Sequence, residues 1–405
     1  MRGARVDVYD RLGVRKAINA RGNFTLVGGS VMSSRVLDAF SAAAGHFVRI
    51  EDLQEAAGSV IAKATGAEWG YATSGAAAAV TLATAACIAK LDVDVMDRLP
   101  DTRGIPNQVL IPAAHRNPYD HQVRAAGAEL VEFGFEDEDP AGAMADAVGP
   151  KTVAAFFLVE SEHLGIAFDQ FVEVAHEAGI PVIVDAAPSL PPVTNLRRFT
   201  EGGADLVAFS GGKSIRGPQS TGFLAGRRDL LLSVALQHQD MDVHPGTWTR
   251  RELIRSGQLA RVPGQGIGRS MKVGKEEIAA LLEAIEEYQE RNHGEEARRW
   301  KATASRLSEE IGRIEGLTSW HEPTHPNGNR PVPSTYVRVE DESRVSAMEV
   351  SRAFQEMDPI IIVNDEAAEK GILVLDVENL REEDLGPLVK AFRSVCVDSS
   401  KEGTE

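Results

Sequence analysis

The sequence predicts an α/β protein, with a large domain built on a mostly parallel sheet and a small α+β domain at the C-terminal end. Its 405 residues exceed what one ordinary core accommodates. Between residues 108 and 226, apolar runs of strand length alternate with helix-like stretches, which is typical of a parallel sheet covered on both faces. After about residue 270 a long charged helix pattern replaces this alternation. We therefore expect an N-terminal arm and first helix over 1–50, a large domain over 51–270, and a long linking helix with the small domain over 271–405.

The individual elements are predicted from apolar runs and helical periodicity. In the large domain we expect strands at 108–112, 128–133, 153–159, 180–185, 204–210 and 221–226. We expect helices at 51–65, 119–126 and 168–179, and an alanine-rich helix after a turn that ends at Gly75. In the C-terminal part we expect a helix near 275–313, strands at 334–339, 359–363 and 371–375, and helices near 345–357 and 382–396. The polar arm at the N-terminus is compatible with packing on either domain.

Composition narrows the function classes. The formal net charge of -17 argues against a nucleic-acid surface, which needs clustered Lys and Arg to displace counterions. The two cysteines form no CxxC pair and no Cys/His cluster, so we expect neither a metal site nor a disulfide framework. The N-terminus has no apolar h-region of a signal peptide, and no apolar run is long enough to span a bilayer. These features predict a cytoplasmic protein without a membrane or nucleic-acid partner.

The stretch ADLVAFSGGKSIRGPQSTGFLAG places Lys213 just past the end of an apolar strand and among glycines. Most lysines are solvated surface residues, so the position alone says little. A lysine at a strand end can nevertheless reach into a cleft, and lysine is the residue that forms Schiff bases with carbonyl compounds. Glycine beside it lets a flat cofactor approach the backbone.

The upstream segment IPVIVDAAPS places Asp185 at the end of another apolar strand. A carboxylate there can be a strand-end cap or turn residue. It can also bond the pyridinium nitrogen of pyridoxal phosphate (PLP) and keep that nitrogen protonated, so that the ring acts as an electron sink. Together, Lys213 and Asp185 predict a PLP site at the carboxyl ends of the strands, where ligands of such sheets bind.

Further residues suit the phosphate and the ring of that cofactor. Helix N-termini bind anions through free backbone N–H groups and the helix dipole. The residues expected at the phosphate are Thr73, Ser74, Gly75 and Ala76 at the start of the alanine-rich helix, and Ser210 before the lysine. The same Ser/Thr-Gly pattern is also an ordinary helix cap. His115 follows the strand QVLIP and is expected to stack on the ring or relay a proton, the alternative being a loop histidine without a special role.

Two glycine-rich stretches resemble nucleotide-binding motifs without matching them. SGGKS has Val207 where a P-loop requires its first glycine. GQGIG, at 264–268, lacks the spacing of a dinucleotide fingerprint and does not follow a predicted strand. The sequence therefore argues against a nucleotide-dependent enzyme.

With these residues in place, the chain resembles the fold-type I PLP enzymes, and within them the branch of L-seryl-tRNA(Sec) selenium transferase and D-glucosaminate-6-phosphate ammonia-lyase. The matching stretches are LGVRKAINARGNFTLVGGSVMS, ATSGAAAA, AAHRNPYDHQVRAAGAELVE, VDAAPSLPP, DLVAFSGGKSIRGPQSTGFLAGR and GRSMKVGKEEI. The resemblance is closer to the ammonia-lyase side than to the selenium transferase. The selenium transferase has a basic tRNA-binding extension, whereas this acidic chain starts directly at the arm, so we do not expect it to bind tRNA. It implies an aspartate-aminotransferase-like fold and a homodimer or higher homo-oligomer with active sites at subunit interfaces. It also implies the roles given above for Lys213, Asp185 and His115, and for the phosphate ligands Thr73, Ser74, Gly75, Ala76 and Ser210.

The resemblance and the site residues together predict a PLP-dependent lyase acting on a small amino acid or amino sugar acid. We expect passage through an external aldimine and a quinonoid, then β-elimination with ammonia release. Arg21, Arg216 and Arg269 are candidates for binding the substrate carboxylate or phosphate. A racemase or epimerase, an aminotransferase and a β-replacement transferase would use the same residues and stay open. A PLP-fold protein that binds ligand without catalysis is the remote alternative.

Overall fold

The computed structural model describes residues 7–134, 139–326, 330–340, 343 and 345–397. Its strands are β1 Ala17–Ala20, β2 Trp69–Thr73, β3 Gln108–Pro112, β4 Glu129–Phe133, β5 Thr152–Leu158, β6 Val182–Asp185, β7 Leu206–Ser210, β8 Gly222–Gly226, β9 Leu317–Glu322, β10 Ser334–Val339, β11 Ile360–Val363 and β12 Ile372–Asp376. Its helices are α1 Val8–Leu12, α2 Ser34–Ala44, α3 Ile50–Thr65, α4 Ala76–Ala89, α5 Val93–Met96, α6 His121–Ala125, α7 Pro140–Ala147, α8 Phe168–Glu177, α9 Asn195–Glu201, α10 Arg228–His238, α11 Glu252–Arg255, α12 Lys275–Glu290, α13 His293–Ile311, α14 Ala347–Glu356 and α15 Glu382–Cys396. None of these helices is both long enough and apolar enough to cross a membrane.

The chain forms two compact units. The larger unit is Met32–Arg291, and the smaller comprises the described residues of Met1–Val31 and Asn292–Glu405. The units therefore divide the chain after Val31 and after Arg291, rather than at residues 50 and 270 as predicted. The arm belongs to the smaller unit because β1 pairs in parallel with β11.

A seven-stranded sheet forms the centre of the larger unit, in the order β2-β8-β7-β6-β5-β3-β4. Each pair from β7 through β6, β5 and β3 to β4 is parallel, whereas β8 is antiparallel to both β7 and β2. All strands except β8 thus run in one direction, and their carboxyl ends meet at one edge. The mostly parallel α/β sheet predicted for the large domain is confirmed.

Helices cover both faces of this sheet, as parallel strands buried on two sides require. On one face lie α3 and α12, which contribute buried side chains such as Ile61 and Leu281 to the core. On the other face lies α4, whose residues are buried from Ala78 to Ala89, together with α10. Alanine lets α4 pass close to the sheet while keeping high helix propensity. This helix begins just after the carboxyl end of β2, so its N-terminus lies at that end of the sheet.

The smaller unit is α+β, as predicted for the C-terminal domain. Strands β12, β10 and β9 form an antiparallel sheet in that order. Helices α13, α14 and α15 bury side chains such as Trp300, Phe354 and Phe392 in one core with this sheet. The final helix lies where it was predicted, and the strands predicted near 334–339, 359–363 and 371–375 are β10, β11 and β12.

Three features differ from the predicted elements. Residues 69–73, assigned to a turn, form β2, an edge strand of the sheet that is buried along almost its whole length, which hides the alternation that marks a half-buried strand. The helix predicted over about 275–313 is two helices, α12 and α13. The break lies at Arg291, which is extended, and Asn292, whose side chain accepts the Glu295 N–H as an N-cap. Strands β1 and β9 were not predicted.

Candidate active site

The carboxyl edge of the sheet brings the predicted PLP residues together. Thr73 ends β2, Asp185 ends β6 and Ser210 ends β7. β6 and β7 are neighbours, with Asp185 opposite Ala208 in the parallel register. Such edges hold ligands in α/β proteins because loops and helix N-termini open there. The strand topology therefore explains why residues far apart in sequence converge on one region.

Lys213 lies in a tight loop between β7 and β8. The loop is closed by backbone bonds from the Gly211 N–H to the Thr221 carbonyl (2.8 Å), from the Gly217 N–H to the Gly211 carbonyl (2.8 Å), and from the Arg216 N–H to the Lys213 carbonyl (2.8 Å). Arg216 has φ 65°, a left-handed conformation that is unfavourable for a residue with a side chain. The surrounding bonds hold this conformation, so the position of Lys213 is set by the whole loop.

Arg291 clamps the same loop from the end of α12. Its Nη1 donates to the Ser214 carbonyl (2.9 Å) and its Nη2 to the Ile215 carbonyl (3.1 Å). The side chain is mostly buried, and its guanidinium lies 5.1 Å from the centre of the Tyr288 ring. A charged donor bonded to two successive carbonyls fixes the orientation of both peptide groups. Arg291 therefore positions the residues that directly follow Lys213.

We expect Arg291→Ala to lower the free energy of unfolding by about 2–3 kcal/mol, since hydrogen bonds to charged groups contribute about 1.5–3 kcal/mol each and their loss is partly compensated by water. Turnover per bound cofactor should also fall, roughly tenfold, because the loop that carries Lys213 loses its clamp. Urea denaturation and steady-state assays check the two effects. Arg35→Ala is the matched control, because Arg35 bonds Glu283 on α12 from a more exposed site and should lower the free energy of unfolding much less than Arg291→Ala does. Unchanged turnover per bound cofactor in Arg291→Ala would contradict the positioning role.

Asp185 is the last residue of β6, and its Oδ1 accepts the Ala187 N–H at 3.0 Å. Burial raises the pKa of this carboxyl, while the Ala187 bond and the nearby charge of Lys213 lower it in part. A carboxylate in such a position is stabilised by a cationic partner. A protonated pyridine nitrogen would be such a partner.

The predicted phosphate residues form the turn between β2 and α4. Gly75 has φ 95°, and the first helical bond runs from the Ala79 N–H to the Gly75 carbonyl, so the preceding N–H groups of α4 have no partner within the helix. β8 passes very close to this turn. A Cβ on Gly222 would lie 2.5 Å from the Gly75 carbonyl carbon and 2.6 Å from the Ala76 nitrogen. Glycine at 222 therefore allows the helix N-terminus to face the end of β7.

Both hydroxyls of this turn donate to backbone carbonyls. The Thr73 hydroxyl donates to the Gly75 carbonyl (3.0 Å), and Thr73 is fully buried. The Ser74 hydroxyl donates to the Met271 carbonyl (2.6 Å), and Ser74 is partly exposed. A serine hydroxyl has one proton, so Ser74 must turn away from Met271 to donate to a phosphate. Backbone N–H groups are the donors that can bind an anion here without such a change.

His115 follows β3 in a short 3-10 turn and is 1% exposed. Its Nδ1 accepts the Leu158 N–H (3.2 Å), and its Nε2 lies 3.2 Å from the Leu164 carbonyl, which requires a proton on Nε2. Burial lowers the pKa of His115 to about 4, and its ring packs edge-on against Phe157. This arrangement favours a role in tying β3 to β5. Ring stacking and proton transfer by His115 stay predictions.

The three arginines proposed for the substrate occupy different places. Arg216 lies in the Lys213 loop, as described above. Arg269 lies in the 3-10 turn Ile267–Met271, and its Nη2 is 3.4 Å from Asp240. Arg21 belongs to the smaller unit, where Nη1 donates to Asp365 (3.1 Å) and to the Val363 carbonyl (3.4 Å). Their roles toward a substrate stay predictions.

Sequence reasoning missed several residues that shape this region. Arg291, Gly222, His238 and Met271 were not singled out, because each acts on a segment far away in the chain. The stretch GQGIG, considered above only as a nucleotide motif, packs against α10 instead. The sequence offered two signals, the break at Arg291 between two charged helices and the glycine at the start of β8. Neither signal identifies the distant segment that the residue contacts.

The residues at this edge fit PLP. Lys213 would supply the amine, Asp185 would supply a buried carboxylate for the ring nitrogen, and the start of α4 would supply an anion site beside Gly222. Among the described residues, no group of three or more His, Cys, Asp or Glu side chains is arranged to hold a metal ion.

Comparison with known proteins agrees with this geometry. Residues 113–244 match the family model described as aminotransferase class-V. The chain is 30% identical to D-glucosaminate-6-phosphate ammonia lyase of Salmonella typhimurium (strain 14028s / SGSC 2262), over 96% of this chain and 98% of that protein. A solved structure of D-glucosaminate-6-phosphate ammonia-lyase superposes with a TM-score of 0.81 at 28% identity, over 98% of this chain and 100% of that chain.

Two further relatives are named for different activities. 5'-C-glycyluridine monooxygenase-decarboxylase of a Streptomyces species is 34% identical over 78% of this chain and 74% of that protein. L-seryl-tRNA(Sec) selenium transferase of Geotalea daltonii (strain DSM 22248 / JCM 15807 / FRC-32) is 25% identical over 83% of this chain and 71% of that protein. The resemblance seen in the sequence and the aspartate-aminotransferase-like fold are thereby confirmed. The chain belongs to the family of fold-type I PLP-dependent enzymes that includes D-glucosaminate-6-phosphate ammonia-lyase.

Proposed function

We propose that the protein is a PLP-dependent lyase that removes a β-substituent and ammonia from a small amino acid or amino sugar acid. The observation that carries this proposal is the match to D-glucosaminate-6-phosphate ammonia lyase over nearly the full length of both proteins. The fold similarity extends over the same range. The arrangement of Lys213, Asp185 and the α4 N-terminus at one sheet edge is compatible with that activity.

Each residue has a defined task in this reaction. Bound PLP would supply an electron sink for the bond broken at the substrate Cα. Lys213 would hold the cofactor, and after the substrate amine takes its place the free Lys213 amine would accept the α-proton. Asp185 would keep a proton on the ring nitrogen. Backbone N–H groups at the start of α4 would bind the phosphate.

The overall reaction balances without an oxidant or reductant. The Cα–H bond breaks, and its electron pair forms the Cα–Cβ double bond as the β-substituent leaves with the bonding pair. The α-proton, held by Lys213, can return to the product or to the leaving group. Hydrolysis of the resulting enamino acid gives a 2-oxo acid and ammonia. This hydrolysis consumes one water molecule for each ammonia released, and a β-hydroxyl that leaves with the α-proton returns one water molecule.

We expect the purified enzyme to release ammonia and a 2-oxo acid in equal amounts from at least one substrate in a panel of D- and L-amino acids and phosphorylated amino sugar acids. The cofactor should stay in its aldehyde oxidation state through many turnovers. Conversion of the cofactor to its amine form by one equivalent of substrate would make the enzyme an aminotransferase. Hydrogen exchange at Cα without ammonia would make it a racemase or epimerase. Ammonia-free exchange of the β-substituent would indicate β-replacement.

A second candidate is an oxidative decarboxylation, because the relative named 5'-C-glycyluridine monooxygenase-decarboxylase is 34% identical over 78% of the chain. Such a reaction requires molecular oxygen and releases carbon dioxide. Measuring oxygen consumption during turnover of each substrate in the panel separates the two candidates. The lyase reaction proceeds at the same rate under nitrogen, whereas an oxygenase stops.

We further propose a homodimer or higher homo-oligomer in the cytoplasm that acts on small molecules and binds no nucleic acid. The surface around α2 and the start of α3 supports association, since Leu37, Val48 and Ile50 are exposed and Phe47 is fully exposed. The net charge of -17 supports the absence of a nucleic-acid partner. Sedimentation at assay concentration should show an oligomer that Phe47→Asp weakens. Full activity in a monomer would refute this assembly.

A further inference from the structure

A series of hydrogen bonds connects the turn between β2 and α4, where the phosphate site is proposed, to residues of other elements. The Tyr71 hydroxyl lies 2.8 Å from His238 Nδ1, and His238 Nε2 lies 2.9 Å from the Met271 carbonyl. The same carbonyl accepts the Ser74 hydroxyl at 2.6 Å. The series therefore links β2, the end of α10, the segment before α12 and the turn that precedes α4.

The chemistry of the bonds fixes the protonation of His238. The Met271 carbonyl can only accept, so Nε2 carries the proton, and Nδ1 accepts from the Tyr71 hydroxyl. His238 is 6% exposed and Tyr71 is 2% exposed. Burial lowers the pKa of His238, which keeps the ring neutral near pH 7. His238 is thus a fixed donor to the Met271 carbonyl.

The segment that carries Met271 is pressed against α10. A Cβ on Gly266 would lie 2.6 Å from the Gln237 Cα, and one on Gly268 would lie 2.9 Å from the His238 Cα. Only glycine permits this approach, which explains the stretch GQGIG. Close packing on α10 places the Met271 carbonyl between the Ser74 hydroxyl and the His238 ring.

We propose that His238 is a positioning residue for the cofactor phosphate: it holds the Met271 carbonyl, so that the Ser74 hydroxyl can leave this carbonyl and donate to the phosphate. The inference rests on the proposed phosphate site at Thr73–Ala76. A carbonyl that loses its one donor away from bulk water is destabilised, whereas one that keeps a second donor is not. His238 therefore lowers the free-energy cost of turning Ser74 toward the phosphate.

Titration of the full-length apoenzyme with PLP and with pyridoxal, which lacks the phosphate, tests this role by cofactor fluorescence and needs no turnover. We expect Ser74→Ala and His238→Phe each to raise the Kd for PLP about tenfold or more, the size expected for one hydrogen bond to a charged group. The Kd for pyridoxal should stay unchanged in both. The double variant should bind PLP no more weakly than Ser74→Ala, because His238 acts through Ser74.

Conservative variants separate positioning from folding. His238→Gln can still donate to the Met271 carbonyl and should restore most of the PLP affinity, whereas His238→Asn is too short and should not. If His238→Phe does not fold, the pair of polar variants carries the same comparison. His176→Phe is the matched control, since His176 bonds Asp205 at the opposite end of the sheet and should leave the Kd for PLP unchanged.

Each other outcome has a distinct meaning. Multiplicative losses in the double variant, equal losses for pyridoxal, or His238→Gln no better than His238→Asn would overturn the role of His238. An unchanged Kd for PLP in Ser74→Ala would also overturn the inference, because the backbone N–H groups of α4 would then bind the phosphate without Ser74. Equal Kd values for PLP and pyridoxal in the wild type would instead overturn the phosphate site proposed for this turn. Failure of the inference and failure of the proposed site are therefore distinguishable.

Discussion

Replacing Lys213 with alanine is expected to abolish turnover, with a loss of at least about 10⁴-fold, and to remove the covalent linkage to the cofactor. The expected loss is this large because the proposed tasks of Lys213 are both to hold the cofactor and to serve as the base at the substrate Cα, and one positioned base alone contributes about 10²- to 10⁴-fold. Ammonia release and the visible absorption of the bound cofactor check the two effects on the same preparation.

Two variants make this result interpretable. Lys151→Ala removes an exposed lysine that precedes β5 at the other end of the sheet, and it should retain full activity. Lys213→Arg keeps a positive charge in the loop but cannot form the linkage, so it should be as inactive as Lys213→Ala. Substantial turnover by either Lys213 variant would show that another amine performs the chemistry.

Asp185→Asn is expected to slow removal of the substrate α-proton by about 10²- to 10³-fold, the size measured when one preorganised electrostatic partner is lost. A neutral amide cannot stabilise a positive charge on the ring nitrogen, so that nitrogen loses its proton and withdraws electrons less strongly. Cofactor should remain bound, because Lys213 and the α4 N-terminus are unchanged.

Deuterium exchange at the substrate Cα measures this step directly. Asp205→Asn is the matched control: Asp205 is also buried and accepts bonds from the Val182 N–H (2.8 Å), His176 (2.9 Å) and Arg227 (3.0 Å), but it lies at the opposite edge of the sheet. We expect the control to lower stability and to leave exchange per bound cofactor unchanged. Equal exchange in wild type and Asp185→Asn would rule out the ring-nitrogen role.

Much of the larger unit could be predicted because its strands are marked by apolar runs of neighbouring residues in the sequence. Apolar runs such as 204–210 and 221–226 are long enough to identify β7 and β8, and a parallel sheet places the ends of its strands at one edge. The positions of Lys213 and Asp185 after β7 and at the end of β6 follow from that rule, whereas their roles stay proposals. β2 was not predicted because this edge strand of five residues is buried on both faces and so has no alternating pattern.

What could not be predicted depends on contacts between distant segments. Arg291 bonds carbonyls that lie more than seventy residues earlier, and no local pattern indicates such a partner. The pairing of β1 with β11 joins the two ends of the chain in the same way. For His115, the position after β3 was predictable from the sequence. The hydrogen bonds of both its ring nitrogens to backbone groups were not.

The most direct test of the account is to reduce the purified holoenzyme with borohydride, digest it and locate the cofactor by mass spectrometry. Borohydride converts the lysine–cofactor linkage into a stable adduct. The account predicts that the adduct lies on the peptide containing Lys213 and that substrate added first prevents its formation. An adduct on another lysine, such as Lys272 or Lys275, or no adduct at all in a catalytically active preparation, would contradict it.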